Sequence, residues 1–131
     1  MEVIHAAVSV ASLDRSLEFY VDGLGLTDRW GFERDGVTHR YLGGSEGAEI
    51  QLVEDSDAAE SNSRGVDHVA VEVADLDATF ETLTEQTSCP VDQPPSTLTV
   101  TEVETRYAFV EDPDGNRVEL VERTSDHPGN D

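Results

Sequence analysis

The sequence predicts an α+β fold made of two βαβββ modules, and three observations carry that prediction. The first is an internal repeat: His5-Ala6-Ala7-Val8-Ser9-Val10-Ala11-Ser12-Leu13-Asp14 returns 63 residues later as His68-Val69-Ala70-Val71-Glu72-Val73-Ala74-Asp75-Leu76-Asp77, with about half of the positions through Glu18 and Glu81 identical. In each copy, moreover, a two-residue hydrophobic period gives way to helical spacing. Finally, turn-forming residues divide the remainder of each copy into short strand-like runs.

Val3 to Val10 alternates, with Ile4, Ala6, Val8 and Val10 on one face and His5, Ala7 and Ser9 on the other, the pattern of a half-buried strand. Ser12 is an N-cap residue and Asp14 suits the positive end of a helix. Leu13, Leu17, Tyr20 and Leu24 continue at helical spacing until Gly25 offers a left-handed stop, so a helix is expected over 13–24. Leu26 to Glu33 and Val37 to Leu42 read as a hairpin around Asp35-Gly36, and Gly43, Gly44 and Gly47 turn the chain into a strand from Ala48 to Glu54. Module two repeats the opening with a strand from Val66 to Val73, an Asp75 cap and a helix through Leu76, Phe80 and Leu83 to about Glu85. The prolines 90, 94 and 95 predict irregular chain over 86–98, and strands are expected over 99–104, 107–111 and 117–121, with Asp112-Pro113-Asp114-Gly115 as the last turn.

At 131 residues the chain suits one domain over 1–123, comprising module one (1–54), a polar linker (55–65) and module two (66–123). Residues 124–131, with His127, are expected to form a flexible tail without a function. The single Cys89 excludes an internal disulfide and, with no CxxC, is assigned a structural or incidental place. No apolar run is long enough to span a bilayer and no basic segment precedes an apolar one at the start, so a soluble, cytoplasmic protein is expected.

Asp and Glu number 29 against 8 basic residues, all arginine, for a formal net charge of −21. Such a field repels nucleic acid and anionic lipid and removes both from the partner classes. The acids are spread along the chain as a solvated surface. Self-repulsion on this scale is tolerable where the Debye length shrinks to about 3 Å, near molar salt, so a salt-rich cytoplasm is expected.

Side-chain direction singles out four polar residues. His5 lies opposite Ile4, Ala6 and Val8; His68 lies opposite Val69, Val71 and Val73; Gln51 lies opposite Ile50 and Leu52; and Glu119 lies opposite Val118 and Leu120. If the helices cover the apolar face, these four line a cleft on the other. Two imidazoles, a carboxylate and an amide oxygen suit a divalent ion such as Ni, Zn, Mn or Fe. Glu49 and Glu72 share the cleft-side faces of their strands, whereas His39 has no repeat counterpart and is expected to be a surface or hairpin residue.

The opening His5 strand with Ser12-Leu13-Asp14-Arg15-Ser16-Leu17-Glu18-Phe19-Tyr20 and Gly23-Leu24-Gly25-Leu26, the Asp67-His68-Val69-Ala70 stretch, and Phe109 to Leu120 resemble the vicinal oxygen chelate superfamily over about residues 2–122. That superfamily holds glyoxalase I, type I extradiol dioxygenases, methylmalonyl-CoA epimerase, and fosfomycin- and bleomycin-resistance proteins. The closing stretch looks most like bacterial glyoxalase I. The resemblance implies paired modules in a U-shaped eight-stranded mixed sheet, commonly in a homodimer, and a divalent metal held by His5, Gln51, His68 and Glu119. It further implies a small substrate chelated through two vicinal oxygens, isomerised through a metal-bound enediolate with Glu119 as the catalytic base.

Three positions depart from the bacterial glyoxalase I pattern. Gln51 stands where glutamate is usual; Ser9 replaces an arginine that grips the thiol peptide's carboxylate and Asp55 replaces an asparagine, so another thiol than glutathione, or a different substrate, is expected. The four ligand positions also match the set of methylmalonyl-CoA epimerase, another enolising enzyme. Without Gln51, the other three form the two-histidine, one-carboxylate triad of extradiol dioxygenases. A metal-free binding protein of the bleomycin-resistance type is the non-enzymatic alternative, although such proteins generally lack the histidines.

Overall fold

The computed structural model describes residues 4–57, 68–100 and 102–126, so most of the expected linker and His127 lie outside the described residues. The chain divides into two compact units, Met1–Val66 with Pro113–Gly115, and Asp67–Asp112 with Asn116–Asp131. Each unit contains one four-stranded mixed sheet.

In the first unit the sheet order is β1 (His5–Val10), β4 (Glu49–Glu54), β3 (Val37–Gly43), β2 (Thr27–Arg34). The β1/β4 pair is parallel and the other pairs are antiparallel. Between β1 and β2 the helix α1 (Leu13–Leu17) continues as a π-helical stretch (Glu18–Gly23), closed by the wide Leu24 N–H to Phe19 C=O bond of 2.8 Å. Ser12 caps α1 by accepting from the Arg15 N–H, and Gly25 turns the chain out at φ +94° as expected. The β2/β3 hairpin closes through Asp35 and Gly36, both at positive φ (53° and 79°), as a tight two-residue connection requires. Val8, Val10, Leu42, Ile50 and Leu52 form the buried face together with Phe19 and Tyr20.

Strand alternation assigned Ile4 and Ala6 to that buried face too, but both are exposed, Ile4 at 68%. Periodicity tells which way a side chain points, not whether anything covers it.

The second unit repeats this topology with β5 (Val69–Glu72), β8 (Arg117–Glu122), β7 (Val103–Glu111) and β6 (Val91–Val100), β5 and β8 being parallel. Its helix α2 (Leu76–Thr87) is capped by Asp75, which accepts from the Ala78 N–H, and ends at Ser88 in the left-handed region. Leu76 and Leu83 from the helix join Ala108, Val110, Val118 and Leu120 in the core.

Two expectations are corrected here. The proline-rich stretch expected to be irregular is largely strand β6, and the run expected as a strand over 99–104 contains a chain reversal, with Val100 paired to Val103 and Glu102 at φ 68°. Prolines carry no N–H to donate, but β6 is an edge strand and its register shifts between Gln93 and Ser96, where Pro94 and Pro95 sit. The Asp112–Gly115 turn forms as expected. Buried Asp112 accepts from the Asn116 backbone N–H at 2.8 Å and from its side-chain amide at 2.9 Å, and Gly115 takes φ 81°. No helix among the described residues is long and apolar enough to cross a membrane.

Candidate functional site

In the first unit His5, Glu49, Gln51, Tyr41, His39, Phe32 and Trp30 share the sheet face opposite the helix, by strand register. Gln51 is directly across from Tyr41, and the His5 ring meets the Tyr41 ring edge-on at 5.5 Å and 79°. Trp30 lies flat over Tyr41 at 3.9 Å, burying it. The Glu49 carboxylate is taken by Arg29 at 2.9 Å and by the Trp30 indole N–H at 3.3 Å, so it is neutralised within the sheet.

In the second unit the same positions recur. Glu119 is directly across from Phe109, and the His68 ring meets the Phe109 ring edge-on at 5.2 Å and 87°. The repeat therefore extends to the setting of each histidine. Here the two candidate ligands face one another, with His68 Nε2 3.3 Å from Glu119 Oε1 and both side chains partly exposed. Glu72, which stands at the repeat position of Ser9, is paired with Arg123 at 2.9 Å.

Glu119 also lines a cavity of about 410 Å³ whose walls include Leu98, Thr105, Tyr107, Val121 and Arg123. Thr105 is buried, and its hydroxyl makes no hydrogen bond among the described residues. The cavity pairs an apolar wall with the polar groups of Glu119 and Arg123, the mixture typical of small-molecule sites. A different pair of acids lies at the start of β8 beside Arg117. There the hydrogen bond Glu111 shares with Asp92, reinforced by burial and by repulsion from Asp92, holds the Glu111 carboxyl above its usual range.

The structure thus brings His68 and Glu119 together in one unit and sets His5 and Gln51 on one face in the other. Among the described residues no three His, Cys, Asp or Glu side chains are grouped closely enough to hold a metal ion. Each unit by itself offers two of the four expected ligands. Their chemistry fits a borderline divalent ion: nitrogen from imidazole, oxygen from a carboxylate and oxygen from an amide.

His39 lies in the β2/β3 hairpin as expected, but with a contact the sequence pattern did not show: it is half-buried on the Gln51 face, with its Nδ1 3.0 Å from Gln51 Nε2 and its ring stacked on Phe32 at 4.4 Å and 9°. Because an amide nitrogen only donates, the imidazole Nδ1 is the acceptor, in the tautomer protonated on Nε2. That contact leaves the amide oxygen as the end of Gln51 available to ligate. The only sequence signal was phase: His39 and Tyr41 alternate with the apolar Leu42 in a strand that must neighbour that of Gln51.

Residues 2–120 match the family model of the Glyoxalase/Bleomycin resistance protein/Dioxygenase superfamily. The chain belongs to this superfamily. Among its relatives in it, a "Probable lactoylglutathione lyase" of Synechocystis sp. is 30% identical, covering 95% of this chain and 98% of that one. The lactoylglutathione lyase of Haemophilus influenzae is 31% identical, covering 98% of both. A solved superfamily member from Sphaerobacter thermophilus superposes with a TM-score of 0.71 at 25% identity, covering 94% of this chain and 98% of that one.

Proposed function

We propose that the protein is a divalent-metal-dependent lyase or isomerase of glyoxalase I type, acting in the cytoplasm as a homodimer. Its ligands are His5, Gln51, His68 and Glu119, gathered either within one chain or across two. Superfamily membership and full-length similarity to lactoylglutathione lyases support the reaction class. The observation that carries the site assignment is the His68–Glu119 contact of 3.3 Å beside the cavity, set against an aromatic ring just as His5 is in the other unit. When bound, a Ni, Zn, Mn or Fe ion would supply Lewis acidity to two vicinal oxygens of the substrate.

The chain's own residues do the rest. Glu119 takes the proton from C1 of a 2-oxoaldehyde hemithioacetal and returns it to C2. Leu98, Tyr107 and Val121 hold the organic part of the substrate and exclude water from the carboxylate. Ser9 provides no cation for a peptide carboxylate, which favours another thiol than glutathione or a different substrate.

Glu119→Gln tests the assignment, because an amide keeps an oxygen ligand but accepts no proton. With a 2-oxoaldehyde and a panel of low-molecular-weight thiols, turnover at saturating metal should fall by about 10²-fold or more. Unaltered turnover would remove Glu119 as the base.

A further inference from the structure

An amide and a carboxylate make different demands on their surroundings. A carboxylate presents two equivalent oxygens, so either end can ligate. An amide has one ligating end and one that repels a cation, and the two exchange by rotation about a single bond. Gln51 needs something to decide which end faces outward, and the repeat-equivalent Glu119 does not.

We infer that His39 is a positioning residue that fixes the Gln51 amide with its carbonyl oxygen free to act as a ligand; the inference rests on the metal-site reading above. The Gln51 amide nitrogen donates to His39 Nδ1 at 3.0 Å. The imidazole is itself restrained, being stacked flat on Phe32 at 4.4 Å. The second unit supplies the internal control. At the position two residues before Phe109, where His39 stands two before Tyr41, it carries Tyr107, and Glu119 faces His68 instead. The histidine is present in the copy that carries the amide and absent from the copy that carries the acid.

The test is a double-mutant cycle on metal affinity, measured by competition with a chromophoric chelator for Zn²⁺ or Ni²⁺ in molar KCl, with circular dichroism confirming that each variant is folded. His39→Phe keeps the ring stacked on Phe32 and removes the acceptor, while His39→Gln restores a side-chain acceptor. In the Gln51 background, His39→Phe should weaken metal binding by about 10- to 100-fold, the size of effect that loss of a ligand-orienting partner produces, and His39→Gln should recover part of that loss. In the Gln51→Glu background the same change should cost less than about threefold, because the ligand no longer has a wrong end. Equal losses in both backgrounds, or none with Gln51, would overturn the positioning role while leaving the metal site standing. Wild-type protein that binds neither ion would overturn both.

Discussion

Glu122 stands three residues beyond Glu119, and its carboxylate accepts the Leu76 N–H at 2.8 Å, in a partly buried setting at the start of α2. The repeat counterpart is Glu54, which accepts the Leu13 N–H at 2.8 Å at the start of α1 but is exposed. Each ties the end of a ligand-bearing strand to the N-terminus of the helix in its own module, where unpaired N–H groups and the helix dipole favour an anion. A charge-assisted hydrogen bond of the partly buried kind is worth about 1.5–3 kcal/mol, and an exposed one about 1 kcal/mol or less. Glu122→Ala should therefore cost about 2 kcal/mol and Glu54→Ala about 0.5–1 kcal/mol, with Glu122→Gln between them because it keeps the acceptor and loses the charge. For a chain of this size about 1 kcal/mol moves the melting temperature by roughly 3–5 °C, so thermal unfolding followed by circular dichroism in molar KCl should show Glu122→Ala melting about 6–10 °C low. An order in which Glu54→Ala is the more damaging, or a Glu122→Gln variant as unstable as Glu122→Ala, would refute the capping argument.

Two further outcomes follow from charge. Glu111→Gln should stabilise the protein at neutral pH, by under about 1 kcal/mol because the site is largely solvated. Since the folded state raises the Glu111 pKa, the wild type closes that gap as pH falls through the carboxylate range, and a gap that widens on acidification would contradict the assignment. With a net charge of −21, melting temperature should rise steadily between about 0.1 and 1 M KCl, over which the Debye length falls from about 10 to 3 Å; a salt-independent melting curve would oppose the salt-rich setting.

Features governed by local chemistry were legible in the sequence. The Asp35-Gly36 turn, the Ser12 and Asp75 caps, the Gly25 stop and the Asp112–Gly115 turn depend on a few adjacent residues and occur where the residue types demand them. The π-helical continuation after Leu17 was not legible, since it preserves the helical run and changes only the bonding. Pro94 and Pro95 misled because local propensity is silent on whether a strand lies at an edge, where a missing N–H costs little. At the candidate site, strand phase placed Gln51 and Glu119 on the faces opposite the apolar core, and the register agrees. The His39–Gln51 contact depends on side chains reaching between neighbouring strands, which a one-dimensional period does not encode.

The central claim is that His5, Gln51, His68 and Glu119 hold one metal ion, and its most direct test is the metal content of protein purified in molar KCl without chelator. Elemental analysis should find about one Ni, Zn, Mn or Fe per chain, retained through gel filtration and lost in both His5→Ala and His68→Ala. Metal-free wild-type protein that takes up none of these ions on titration, and whose melting temperature none of them shifts, would contradict it.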